Sequence, residues 1–204
     1  VETPKAKFLL WANDRMWATG ISGDTSAVRF SEKVSAGTGG ATGDPTAWPE
    51  ENVVRFDPED GRPITALGRV GPYILVFKSH KCWVIYNLDE GQNRKLSDSV
   101  GCVAHRSVVA TEGGTFFLTA DQGVYLTNGS SVKEMSYNVR PTLLGINPAK
   151  RERAAGAYQN NHYYLSFASG TSARANRTLD LDVTFARRET LPPAWRGEDL
   201  PGDV

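Results

Sequence analysis

The chain has 204 residues, 40% of them apolar and 23% charged, which excludes a disordered polypeptide and allows one large domain or two small ones. Its 23 basic and 23 acidic side chains cancel, which argues against a general nucleic-acid coat but leaves room for a local basic patch. No apolar run approaches the roughly 20 residues that cross a bilayer, so membrane insertion is not expected, and the apolar stretch after Val1 is too short for a signal peptide. A first residue other than Met leads us to expect processing or further residues upstream.

Residues 8–30, "FLLWANDRMWATGISGDTSAVRF", hold two or three short strands. Asn13–Asp14 suits a tight hairpin turn, because both residue types tolerate positive φ. Residues 35–49, "SAGTGGATGDPTAWP", are too rich in Gly and Pro for regular structure and read as a long exposed loop. Trp48 is its only large apolar side chain, which makes it an expected interface anchor together with the neighbouring Gly39 and Gly40. "NVVRF" (52–56) is a strand and "DPEDGRP" (57–63) a turn.

"ITALGRV" (64–70) alternates, whereas "YILVF" and "CWVIY" in the hairpin that follows are continuously apolar, as in strands buried on both faces. "SVVAT" (107–111), "TFFLTA" (115–120), "VYLTN" (124–128) and "SVKEMS" (131–136) form the next group. The stretch "SYNVRPTLLGINPAKRERAAG" has room for a turn or two of helix between its prolines. A hairpin on an Asn-Asn turn, "AAGAYQNNHYYLSFA" (154–168), and the alternating "RTLDLDV" (177–183) complete the β pattern.

Aligned by their turns, these groups start at Ile64, Ser107 and Ala154, a repeat of about 43–47 residues, with a weaker match near the beginning of the chain. That period, several strands long, is the signature of a β-propeller blade. One blade cannot cover its own apolar faces, and stacked neighbours do so. The sequence therefore predicts an all-β, propeller-like fold of about four antiparallel blades over 1–183, as a small ring or an incomplete one, with 184–204 as a C-terminal tail or linker. A β-sandwich is the alternative.

Candidate chemistry is sparse. His80, His105 and His162 lack partners at metal-ligand spacing and read as structural or solvated. Asp57, Glu59 and Asp60 crowd one loop without the regular spacing of a calcium site, so a solvated turn is favoured; Asp121 also reads as a turn residue. Cys82 and Cys102 read as buried thiols in preference to a bridge. Paired glycosidase carboxylates from separate blades stay open, but no Asp-box is visible, and the glycine-rich loop lacks a P-loop lysine. Neither a metal nor a cofactor is expected. Two basic clusters, "KRER" (150–153) and "ARR" (186–188, with Arg187 and Arg188), suit solvated faces, a channel wall or an interface with acidic loops.

The run "DPTAWP", "DGRPITAL", "YILVFKSHKCWVIY", with "VGCVAHRSVVATEGGTFFLTADQGVYLTNG" and "YQNNHYYLSFA…NRTLDLDV" after it, resembles β-propeller tail proteins of tailed bacteriophages over roughly residues 11–183. The resemblance implies a structural, non-enzymatic component of the virion tail, in a nozzle, hub or adaptor ring around the genome-ejection channel. Its partners would be further copies and other tail or portal-adaptor proteins, with non-specific passage of DNA. It implies no active-site residue, and it departs from the family in length. A binding module for a host cell-surface glycan or protein is the second expectation, with Trp17 and Trp48 as the aromatics to look for on its surface. A propeller enzyme has the least support.

Overall fold

The computed structural model describes residues 3–37, 40–186 and 193–199. The described residues form four antiparallel four-stranded sheets, one after another along the chain. The first comprises β1 (Phe8–Ala12), β2 (Arg15–Ile21), β3 (Asp24–Phe30) and, after a small hairpin of β4 (Ser35–Gly37) and β5 (Gly40–Thr42), β6 (Val53–Arg55). The second is a meander of β7 (Ile64–Val70), β8 (Tyr73–Lys78), β9 (Cys82–Asn87) and β10 (Gln92–Ser97). The third holds β11 (Val109–Thr111), β12 (Gly114–Leu118), β13 (Val124–Thr127) and β14 (Val132–Glu134). The fourth holds β15 (Ala155–Gln159), β16 (His162–Phe167), β17 (Arg177–Asp182) and β18 (Trp195–Asp199).

The expected turn chemistry is present. Asn13 and Asp14 have φ of 53° and 56°, and Asn160 and Asn161 have 50° and 65°, the paired left-handed conformation that suits two-residue hairpins. Short α1 (Arg140–Leu143) and α2 (Val183–Ala186) are the α-helical segments described.

The repeat is a blade, and the blades stack face to face. In β8 the side chains divide by parity: Ile74 and Val76 pack with Trp17, Val28 and Phe30 of the first blade, while Leu75 and Phe77 pack with Phe117 of the third. In β12, Phe117 joins that core, and Phe116 and Leu118 join the next one with Tyr163, Leu165 and Phe167 of the fourth blade. This two-sided burial is why "YILVF" shows no alternation. Each strand face supplies one wall of a different core.

Polar links cross the same seams. Thr65 Oγ1 donates to the Cys102 carbonyl at 2.6 Å, and Tyr163 Oη donates to the Ser107 carbonyl at 3.1 Å. Thr115 Oγ1 donates to the Arg69 carbonyl. The first strands β1, β7, β11 and β15 run side by side as the innermost strands, while β10, with four exposed residues in succession, lies at an outer edge. Close approach near the axis is tight at Gly68 of β7, where an added Cβ would sit 2.5 Å from Val108 Cγ1.

Two sequence expectations change here. The stretch 184–204 is not wholly tail, because Trp195–Asp199 pairs with β17 as the outer strand of the fourth blade. Its mostly polar composition and the long excursion before it conceal a strand. The loop at 35–49 is also not free of regular structure: Ser35–Gly37 pairs with Gly40–Thr42.

Candidate functional site

The residues expected at an interface separate in space or fall outside the description. Gly39, Arg187 and Arg188 lie outside the described residues, and Gly40 begins β5. Trp48 is only 3% exposed, so its side chain belongs to the interior and offers no free anchor. The cause is local. Val28 and Phe30 point into the core shared with the second blade, which places Arg29 on the opposite face of β3. From there its Nη2 donates to the carbonyls of Trp48 and Pro49 at 3.1 and 3.2 Å, and the Glu32 amide donates to the Ala47 carbonyl at 2.9 Å. The chain between β5 and β6 is thereby tied back over the outer half of the first blade. Trp17, the other aromatic sought on the surface, is fully buried and donates Nε1 to the Ala12 carbonyl at 3.0 Å.

The inner half of that same face stays open. Leu9 and Trp11 of β1 are 55% and 49% exposed, and Met16, paired opposite Trp11, is half-buried. Their neighbours Leu10 and Ala12 face the second blade. The outer face of the fourth blade is polar by contrast. His162 Nδ1 lies 2.7 Å from Asp180 Oδ1, and the Ser166 and Thr178 hydroxyls are 2.8 Å apart.

In the acidic loop at 57–60, Pro58 and Glu59 are exposed as in a solvated turn, but Asp57 and Asp60 are held by lysines. Lys78, buried despite its charge, donates Nζ to Asp60 Oδ1 at 2.5 Å, to the Asp57 carbonyl at 2.8 Å and to Ser26 Oγ at 3.1 Å. Lys81 and Lys95 reach Asp57 Oδ2 at 2.8 and 2.9 Å. Lysine ammonium groups from β8, its turn and β10 occupy the positions a cation would take. Burial acts to raise the Asp60 pKa, but hydrogen bonds and charge from Lys78, the Arg62 amide and Lys81 outweigh it and hold the group at about 2. Asp121 is likewise more than a turn residue: Arg140 bridges it to Glu134 at 2.8 and 2.5 Å.

A cavity of about 940 Å³ opens where the leading ends of the four innermost strands converge. Lys5, Lys7 and Phe8 border it from the first blade, Pro63 to Thr65 from the second, His105 and Arg106 from the third, and Glu152 and Arg153 from the fourth. Among the described residues none of Lys5, Lys7, Arg106 and Arg153 takes part in an ion pair. The His105 ring lies 4.4 Å from that of Phe8, and its Nδ1 is buried without a hydrogen-bond partner among the described residues. Burial, with a further push from Arg106, lowers the His105 pKa, so the imidazole is neutral near pH 7. Of these cations, the sequence marks only Arg153, through the 150–153 cluster, as a candidate for a channel wall.

Cys82 and Cys102 are buried free thiols, each pushed up to about 12 chiefly by burial, which leaves them unreactive as nucleophiles. Among the described residues no three His, Cys, Asp or Glu side chains gather as metal ligands, and no helix is long and apolar enough to cross a membrane.

No protein-family model matches the sequence, and no curated protein matches it. Solved structures do. The N-terminal domain of Nup159 superposes with a TM-score of 0.52 at 9% identity, over 94% of this chain and 47% of that one. A chain of the S. cerevisiae assembly of Dbp5 with Nup159, Gle1, IP6 and ADP gives 0.52 at 8% identity, over 94% and 46%. This chain thus spans just under half the length of these two structures. At such identity the likeness is one of fold, and it agrees with the stacked sheets in making this an all-β chain of propeller-like blades.

Proposed function

We propose that this chain works by assembly and not by catalysis, as a structural component of a bacteriophage tail that forms part of a nozzle or hub ring. The observation that carries the assembly reading is the open inner half of the first blade, where Leu9 and Trp11 stand exposed on a sheet face. Comparable apolar faces of the other blades are buried in inter-blade cores. Exposed apolar side chains in that position favour a partner surface. The tail context comes from the sequence resemblance over roughly residues 11–183. The test is sedimentation velocity and electron microscopy of the chain, alone and mixed with tail and portal-adaptor proteins. The wild type is expected to form rings or to dock, and Leu9→Ser/Trp11→Ser to remain a folded monomer. A wild type that stays monomeric and binds none of these proteins would overturn the reading.

A second reading, recognition of a cell-surface glycan, is favoured by Tyr73 and Tyr86, 40% and 47% exposed beside a cleft of about 330 Å³ shared with Arg94 and Asn128. Aromatic faces next to hydrogen-bonding groups suit sugar rings. Loss of glycan-array binding in Tyr73→Ala/Tyr86→Ala, with assembly intact, would favour it over the tail reading.

A further inference from the structure

The axial cavity is a built site that the assembly reading does not use. Four cations converge on it from three separate blades: Lys5 and Lys7, Arg106, and Arg153. Glu152 is the one carboxylate on its wall among the described residues. Elsewhere on the chain, charged clusters resolve into ion pairs, as at Asp57 with Lys81 and Lys95, at Arg15 with Asp89, and at Arg140 with Asp121 and Glu134. Among the described residues, the cations at the axis do not. Holding like charges around one concave space is unfavourable without a counter-charge. His105, which lines the same wall, has its Nδ1 buried without a hydrogen-bond partner among the described residues.

We propose that the axial cavity binds a phosphate-bearing polyanion, with Lys5, Lys7, Arg106 and Arg153 as its charge partners. Flexible ammonium groups from the first blade meet guanidinium groups from the third and fourth, a combination suited to several phosphate oxygens at once. The volume accommodates a few linked phosphates and their hydration. The phosphates can come from a free polyphosphate or from a nucleic-acid strand, and both carry the same chemistry. The site is formed by residues away from Leu9 and Trp11, so it stands or falls separately from the assembly reading.

The experiment titrates the full chain with sodium tripolyphosphate by calorimetry and with a labelled single-stranded oligonucleotide by fluorescence anisotropy, at low salt. An Asp/Glu-only hexapeptide serves as a carboxylate competitor. Binding of tripolyphosphate is expected at one per chain, weakened about tenfold in Lys7→Ala/Arg106→Ala and unchanged in Lys133→Ala. The charge-keeping Lys7→Arg/Arg106→Lys guards against a folding defect and should bind. The His105 imidazole resonances should move on addition of tripolyphosphate while those of His162 stay. Oligonucleotide binding with the same variant dependence would assign the site to nucleic acid as well; tripolyphosphate binding alone would assign it to free polyphosphate. Failure of both phosphate probes to bind, indifference to the double variant, or tighter binding of the acidic peptide would overturn the proposal.

Discussion

Lys78 and Asp60 form an ion pair across the seam between the first two blades, 2.5 Å from Nζ to Oδ1, with the lysine side chain 1% exposed. The same Nζ also donates to Ser26 of the first blade. The pair therefore fixes how the second blade meets the first. Removing one member of a buried pair strands the other, at about 3–5 kcal/mol. Lys78→Met is expected to cost about 3 kcal/mol, near the lower end because Asp60 keeps Lys81 within reach at 3.3 Å. Urea denaturation with native-level folding by circular dichroism checks it; an unchanged midpoint would show that the pair adds nothing.

Acid should loosen the same seam. Asp60 has a folded pKa of about 2, below its ordinary 3.8. A depressed carboxylate stabilises fully above the ordinary value and loses that contribution as pH falls toward the folded one. Thermal stability is therefore expected to drop between about pH 4 and about pH 2, with a shallower drop in Asp60→Asn. Parallel acid profiles for wild type and Asp60→Asn would remove Asp60 as a cause.

Phe77 and Trp83 sit on opposite sides of the second blade, the first with Phe117 at a ring-centroid distance of 4.7 Å and the second with Phe56 at 5.4 Å. Phe77→Ala should cost about 3–5 kcal/mol through loss of buried area and the cavity left behind. Phe77→Asp and Trp83→Asp should prevent folding, because each would bury a carboxylate without a partner. Soluble variants with wild-type melting would contradict the two-sided core.

Trp48 supplies a sharper separation of interior from interface. With 3% exposure, Trp48→Ala should lower stability by about 3–5 kcal/mol and leave assembly of the folded fraction unaltered. Sedimentation of the folded variant below its melting temperature is the measurement. Weakened assembly with unchanged stability would return Trp48 to the role of anchor.

Hairpin turns were the most legible feature of the sequence, since Asn-Asp and Asn-Asn between apolar runs allow few other conformations. Asn160, at φ 50°, should accept Gly without loss, while Val should cost about 1–2 kcal/mol. Equal stabilities by chemical denaturation would show that the turn is not held in this form.

The repeat was legible for a related reason: a strand buried on both sides, such as β8, cannot hide its composition. The outer strands could be missed for the opposite reason. Gln92–Lys95 is polar and exposed, and the strand it opens pairs along the edge that β9 offers. Trp195–Asp199 depends in the same way on β17. Trp48 misled because an aromatic in a glycine-rich loop reads as exposed, and the contact that draws the loop inward belongs to Arg29, 19 residues away. The axial cations had a signal that composition concealed. Arg106 and Arg153 stand immediately before the repeat starts at Ser107 and Ala154, and Lys7 stands immediately before β1 at Phe8. Equal phase in a propeller means equal position around the axis, so a zero net charge was compatible with a basic mouth.

The order of the cores along the chain has a consequence for biogenesis. Every inter-blade core described joins blades that are consecutive in sequence. During synthesis, an apolar blade face therefore waits for little more than one repeat before its cover leaves the ribosome. Loop closure stays short and the nascent sheet edges are sheltered in turn, which limits the time available for misassociation. Leu9 and Trp11 are the exception, because no later blade described in the chain shields them. Chaperone contact with the nascent protein is expected to persist longest at that surface.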